Sequence, residues 1–565
     1  MATNSFSTPL QVYLIDRYNM KENAATNVYN IYTGLTNFAP VLGAFVADAF
    51  WGRFRTMLFG SVFGIIGMVV ITLSATIRQL KPPSCSAAAR QAGTCVAPSA
   101  LQRAVLYVGM GLLAVSLGAT NPTALPFGAD QFDETNNERH KAGLTRYFNW
   151  FYAITMMAMF LGLTVVVYVQ FEVGWGLGFA IPTVVMLVAF AVFLAGTSVY
   201  VYVPPEGSIF SSVARVVVAS CRKWRLRLPH PGDARRQEEL LYSPPGPVSG
   251  NGRPRVFRLP LTLQLSFLNK AAIVTDADEE IRPDGSPARP WNLCSVQQVE
   301  EVKCIVKIVP VWVSGVLWFV VMTEMLNYTT IQALTMNLHI GSRFTIPPVS
   351  ILAVFYLFVA LFVPVYDLLI VRAARYLTAG GITLLQRQGT GLAVGVLGFV
   401  VAAVVEPRRR SSALGHGDGM SSLSVFLLAP QLALMGVSGA LNMIGQLEFY
   451  NTEFPDQMRT LANAAFYCAQ GASSYLATLV VSIVNARTRR SGRSSGWVSD
   501  DINAGRIDYF YYAMAVLGAV NFIYFLVCAH FYRYKGEQPA ESPGADELPG
   551  DSACSSGSEG VLLRT

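Results

Sequence analysis

"PLQVYLI" at positions 9–15 is an apolar run that ends almost as soon as it begins, at Asp16 and Arg17. Whether it counts as part of a membrane helix decides the architecture of everything after it. A helix needs about 20 predominantly apolar residues to cross a bilayer. Stretches of that length recur at 26–48, 54–78, 104–127, 148–170 and 176–198, and again at 302–327, 347–373, 388–405, 424–448, 460–485 and 508–532. Five spans, a polar interval from 203 to 300, and six more spans make an unbalanced chain. Counted as the end of a first helix, the run at 9–15 turns the pattern into six plus six.

The composition agrees with an all-α polytopic membrane protein: 52% of the residues are hydrophobic and 14% are charged, against about a quarter charged in soluble proteins. Much of the basic excess sits in the polar interval, where a solvated or membrane-facing surface accounts for it, so no nucleic-acid partner is implied. The first residues lack the basic n-region and full apolar h-region of a cleavable signal peptide, so none is expected in them. Cys85 and Cys95 share one polar loop, "PPSCSAAARQAGTC" (82–95), and can pair as a disulfide if that loop faces an oxidising side. No cysteine falls in a C-x-x-C or Cys/His metal pattern, so neither metal nor cofactor is expected. With five histidines and no H-E-x-x-H, P-loop or nucleophile-elbow pattern, an enzyme is excluded.

Two six-helix halves joined by a long polar linker are the layout of a major facilitator transporter. In that fold the substrate sits near the midplane between the halves, and rocking gives alternating access. The expected organisation is a transmembrane half at 1–202 with an incomplete first helix, a cytoplasmic linker at 203–300, a second half at 301–536 and a disordered tail at 537–565. The linker carries "RKWRLRLPHPGDARRQ" (222–237) and "PPGPVSGNGRPR" (244–255), a composition that argues against a packed domain. Its basic character places it in the cytoplasm. That leaves "EPRRR" (406–410) and "RTRRSGR" (487–493) outside, against the positive-inside rule.

Six stretches carry a family resemblance: "GAFVADAFWGRFRT" (43–56), "PFGADQFD" (126–133), "YFNWFY" (147–152), "WNLCSVQQVEEVKCIVKIVPVW" (291–312), "GQLEFYNTEFPDQMR" (445–459) and "IDYFYYAMAVLGAVN" (507–521). Together, and in order, they resemble the plant nitrate/peptide transporter family, a branch of the proton-dependent oligopeptide transporters. The likeness is nearest to the subgroup that moves nitrate or glucosinolates. It implies a secondary transporter for a small anion, nitrate first, or an anionic metabolite, with protons as a coupling ion. The alternatives are an uncoupled uniporter or efflux facilitator, a glucosinolate, hormone or peptide transporter, and a non-transporting homologue acting as a receptor or interaction partner. The expected location is the plasma membrane, with the vacuolar membrane as the alternative.

Several residues stand out on physical grounds. Asp48 ends one helix, Gly52 permits a tight turn, and Arg53 and Arg55 open the next. An acid and bases at such a junction can latch one conformation through a charge-assisted bond, or serve as interface anchors. Asp130, Asp133 and Arg146 make a similar junction, and Glu448, at a helix end, reads as gating or structural. Gly60, Gly64 and Gly67 read as close helix packing. Polar stripes mark a candidate path: Asn30, Thr33 or Gly34, and Asn37 on one helix; Asn442 and Gln446 on another; Asn463, Tyr467, Gln470 and Ser474 on a third. Three such stripes can line one aqueous cavity, or make interhelical hydrogen bonds worth about 0.6 kcal/mol each. Glu324, in "FVVMTEMLNYTT" (319–330), is a carboxylate inside an apolar span and the candidate to carry a proton, unless it has already reached the water interface.

Against the family pattern, the chain lacks the E-x-x-E-[K/R] motif of the first helix. It has Gly439, in "VSGALNMIGQ" (437–446), where relatives carry a glutamate. A nitrate-binding histidine known in part of the family would fall near Met322, and Asn269 stands where relatives often have Asp. These departures predict weakened proton coupling. They also lead to the expectation that the chain is an incomplete form, with an in-frame half-helix bearing E-x-x-E-[K/R] encoded upstream. The alternative is a natural short form that transports without coupling.

Overall fold

The computed structural model describes residues 2–534 apart from 21, 84, 86–95, 133–137, 204–208, 229–239, 245–260, 263, 277–279, 284–285, 341–343, 373–381, 416–418, 455–457, 489–495 and 499–501. The run that opens the chain is helical. A short helix α1 (Ala2–Ser7) leads into α2 (Leu10–Asp16). Leu10, Tyr13 and Leu14, spaced i, i+3 and i+4, turn one face inward and are buried.

Among the described residues, ten helical stretches are long and apolar enough to cross a membrane. One of them, Val28–Thr76, has 49 residues, about 74 Å at 1.5 Å per residue, too long for one crossing. It contains α3 (Glu22–Val46), a π-helical turn at Ala47–Trp51, and α4 (Gly52–Thr76). The reversal falls at Gly52, whose φ of 75° suits a residue without a side chain. The stretch therefore makes two crossings, so five precede the linker and six follow it.

The first half continues with α5 (Ala100–Ala129), α6 (Glu138–Leu161) and α7 (Trp175–Ala195). Two π-helical turns, Gly162–Val166 and Val169–Val173, extend α6. Helix α4 packs antiparallel on α5 through its glycines: a Cβ on Gly60 would lie 2.6 Å from that of Ala119, and one on Gly67 3.1 Å from the carbonyl of Gly109. The glycines thus do the packing expected of them. Helix α2 closes the far end of this half, with the Tyr13 ring 4.9 Å from Trp175 and 5.1 Å from Phe179.

After the linker, which contains α8 (Ile209–Arg222) and a short α9 (Ser266–Asn269), come α10 (Val296–Leu334), α11 (Ala353–Val365), α12 (Leu384–Gly415), α13 (Ala429–Glu453), α14 (Arg459–Thr488) and α15 (Ile507–Phe531). A two-residue antiparallel pair, β1 (His339–Ile340) with β2 (Phe344–Thr345), lies between α10 and α11. The halves meet mainly along α3 with α14 and α6 with α11, and α5 also packs on α14. Following the chain, α4, α6, α10, α12 and α14 all start on the face that carries the linker.

The described part of the linker packs, although its composition argues against it. Val216 and Ala219 of α8 share a core with Leu241, Leu268, Ala271, Ala272 and Ile273, and with Val299 and Val302 from the first turns of α10. The two stretches densest in proline and glycine, 229–239 and 245–260, fall outside the described residues. The apolar residues around them supply the core. The tail at 537–565 also lies outside the described residues.

Candidate functional site

On the linker face the two halves are welded by apolar contact. Leu125 and Ala129 at the end of α5, and Phe148, Tyr152, Ala153 and Met156 at the start of α6, belong to the same buried cluster as the core of the second half. Side-chain hydrogen bonds also cross the weld. Arg53, at the start of α4, pairs with Asp130 at the end of α5 and donates from Nε to Thr460 Oγ1 of α14 at 3.0 Å. Asp48 lies beside this group, and its Oδ2 has no hydrogen-bond partner among the described residues. Another crossing bond runs from Asn149 Nδ2 on α6 to Asp367 Oδ1, in the π-helical turn that ends α11, at 3.3 Å.

Next to Asp367 the second half has its own ion pair. Arg387, at the start of α12, binds Glu448 of α13 at 3.0 Å, donates to the carbonyl of Ala440 at 3.3 Å, and lies 4.3 Å from the centre of the Tyr366 ring. Sequence reasoning reached Asp48, Arg53, Asp130 and Glu448 but missed Asn149, Tyr366, Asp367 and Arg387. The signal for Asn149 was present in "YFNWFY", a polar residue inside an aromatic run at a helix start. Arg55 and Arg146 are exposed, and Asp133 lies outside the described residues.

The polar stripes do not all face one another. Those of α3 and α14 meet: Asn37 packs on Gly471, whose Cβ would lie 2.9 Å from that of Asn37, and Phe38 stacks on Tyr475 at 6.2 Å. Gln470 and Ser474 flank that contact, Ser474 Oγ donating to the Gln470 carbonyl at 3.2 Å. Tyr467 is half-buried, with Tyr152 of the first half nearby. Asn30 is exposed. The stripe of α13 turns into its own half. Gln446 donates to Asn442, Asn442 donates to the Gln388 carbonyl of α12 at 3.2 Å, and Gln446 fills the space beside Gly315 of α10. Asn463 pairs with Asn451 at 3.0 Å, and Met322 is buried in the core of the second half. Three further tyrosines sit where the halves approach, Tyr152 near Tyr467 and Tyr29 near Tyr356. They escaped sequence reasoning because tyrosine is unremarkable in an apolar helix until its partner is known.

Glu324 is 2% exposed. Its helix runs on to Leu334, so the side chain is inside the span and away from the helix end. Tyr328 is its titratable neighbour, and no hydrogen bond or ion pair reaches its carboxylate among the described residues.

On the opposite face the halves are held less completely. Ser350, before α11, donates to the Leu163 carbonyl at 3.0 Å. Beside this bond lies a cavity of about 430 Å³ lined by Thr164, Val165, Tyr168, Val169, Ile346, Pro347 and Ser350. The arginines of "EPRRR" prove to be part of α12. Arg409 is fully buried, forms a two-pronged pair with Glu406 at 2.7 and 2.8 Å, and donates to Thr335 and Asn503. Gln332 completes the network by donating to Glu406 at 2.5 Å. Arg410 Nε is held by the Asn503 carbonyl at 2.9 Å. Arg409 is thereby neutralised by Glu406, while Arg410 keeps its charge, so the conflict with the positive-inside rule is eased by one arginine of three. Cys85 is disulfide-bonded, and Cys95 lies outside the described residues. No group of metal-binding side chains occurs among the described residues.

Comparison with known proteins fits this geometry. Residues 54–498 match the POT family. The chain is 41% identical to Protein NRT1/PTR FAMILY 2.13 of Arabidopsis thaliana over 96% of this chain and 86% of that protein. It is 40% identical to Protein NRT1/PTR FAMILY 2.12 of the same plant, over 95% and 90%. Among solved structures it resembles an auto-inhibited POT family peptide transporter (TM-score 0.59, 18% identity, 95% of this chain and 96% of that one) and the POT family transporter PepTSo (TM-score 0.59, 19% identity, 94% and 96%). These two likenesses confirm the fold. Two halves welded on one face, eleven crossings and a full-length match of this kind make the chain a member of the POT family, a multi-pass membrane transporter and not an enzyme.

Proposed function

We propose that this protein moves a small anion, nitrate first, or an anionic metabolite across the plasma membrane by alternating access between its halves, with the linker on the cytoplasmic side. The observation that carries this reading is the closure of the linker face by a shared apolar cluster and crossing side-chain hydrogen bonds, whereas among the described residues the opposite face shows one crossing hydrogen bond and an adjoining cavity. A transporter of this fold needs two such closures made and broken in turn. The likeness to the nitrate/peptide transporters supports the choice of substrate. The isolation of Glu324 inside its span supports this side chain as the proton carrier, because an unpaired acid within a membrane helix is costly and marks a functional position.

Uptake of labelled nitrate and of an organic-anion panel into proteoliposomes, with and without a pH gradient, tests the reading. Nitrate should enter above protein-free controls, and Glu324→Gln should flatten the pH dependence while leaving exchange of substrate intact. Persistent pH-driven accumulation in that variant assigns the proton elsewhere. Binding without any uptake favours the receptor reading.

A further inference from the structure

We propose that the linker subdomain carries a binding surface for anionic phospholipid headgroups, formed by Arg222, Arg225 and Lys270 together with Trp224, Phe267 and Trp291, and that it rests on the leaflet at the linker face. The subdomain sorts its side chains in an unusual way. Its aliphatic residues are inside and Tyr242 is buried as well, while three other large aromatics are outside: Trp224 is 58% exposed, and Phe267 and Trp291 are each 45% exposed. A soluble domain gains nothing from that arrangement.

Three contacts gather these residues onto one surface. Lys270 Nζ donates to the Trp224 carbonyl at 2.6 Å, which brings the Phe267 segment beside the end of α8. Arg222 donates to Asn292, which brings Trp291 to the same helix end. The Arg225 guanidinium lies 5.1 Å from the centre of the Trp224 ring.

The charge is sorted as well. Glu280 is taken by Lys223 at 3.3 Å and by Thr275; Asp276 opens the same turn. Glu300 is taken by Lys303 at 2.6 Å and by Thr262, and Glu301 accepts from Gln297 at 3.0 Å. Glu280, Glu300 and Glu301 are thus occupied within the subdomain, while Arg222 and Arg225, beside the exposed aromatics, are themselves exposed. Guanidinium and ammonium groups bind phosphate oxygens, and tryptophan and phenylalanine favour the headgroup boundary. Position supplies the occupant: α8 begins shortly after the last crossing of the first half, and the subdomain core includes Val299 and Val302 of α10, which then enters the membrane. The nearest extended anionic surface is the leaflet itself.

Hydrogen–deuterium exchange of the full-length chain tests this in nanodiscs of phosphatidylcholine and of phosphatidylcholine mixed with phosphatidylserine. Exchange over 209–228 and 265–275 should slow in the mixed discs. Each of R222Q, R225Q and K270Q should give back about fivefold, the worth of one basic side chain near an anionic surface. Equal exchange in both discs, or slowing that survives the triple substitution, overturns the proposal. If the triple variant loosens the linker even in neutral discs, quenching by brominated lipid decides. The part of the quenching lost in W224F should be larger for brominated phosphatidylserine than for brominated phosphatidylcholine, and an equal loss overturns the proposal.

Discussion

At Arg53 one guanidinium engages both halves, the Asp130 carboxylate in its own and the Thr460 hydroxyl in the other. At the corresponding helix start in the second half, Arg387 stays at home, bound to Glu448, the Ala440 carbonyl and the Tyr366 ring. The crossing there is left to an amide, Asn149, and a separate carboxylate, Asp367. In the first half the ion pair and the closure are one side chain and must break together. In the second half they are different side chains, and the halves can part without unpairing a charge. The two junctions thus divide the work: one sets how firmly the linker face is shut, and the other holds its own half together.

The largest effect is expected at Arg53. Arg53→Ala removes these engagements and leaves Asp130 buried without its hydrogen-bonded cation, a loss of about 3–5 kcal/mol. The linker face should open, and turnover at matched surface abundance should fall by about tenfold or more. Distances between labels on α5 and α14 check the opening, and uptake checks the rate. Unchanged distances would remove Arg53 from the closure.

A smaller and different effect is expected from Arg387→Ala. It strands Glu448, whose side chain keeps 12% exposure and some water, so the loss is about 3 kcal/mol. It should appear as a lower melting temperature of the purified protein, with the distances across the halves unchanged. Opening of the linker face in this variant would collapse the distinction between the junctions. The smallest effect belongs to Asn149→Ala, which removes one hydrogen bond worth about 1 kcal/mol. It should speed opening modestly without lowering the melting temperature, and a loss of stability as large as that of Arg387→Ala would break the comparison from the other side.

The membrane spans were legible because hydrophobic length is a local property. The run at 9–15 was legible only as the apolar end of a first helix; that Leu10, Tyr13 and Leu14 turn one face inward is seen in the structure alone. What stayed hidden depends on partners distant in sequence. Asn442 and Gln446 announce a polar stripe, but nothing local says that Gln388 and Gly315 lie opposite them rather than Asn37. In "EPRRR" the pair Glu406 and Arg409 sits at i, i+3 on one helix face. Their other partners, Gln332, Thr335 and Asn503, come from two distant parts of the chain, so the segment reads as a loop of exposed charge. The linker core was masked by its proline- and glycine-rich stretches, which interrupt the aliphatic residues of α8 and of the segment around Ala271 that form the core.

Helix α10 has 39 residues, about 58 Å from end to end, against a hydrocarbon layer about 30 Å thick. Its first turns are locked into the linker core and its remainder into the second half, so a single rod joins the two. The linker is then a handle on the second half rather than a slack tether between halves. A small tilt of the rod within the bilayer sweeps its protruding end through a larger arc. Whatever grips the linker acquires leverage over the rocking motion itself.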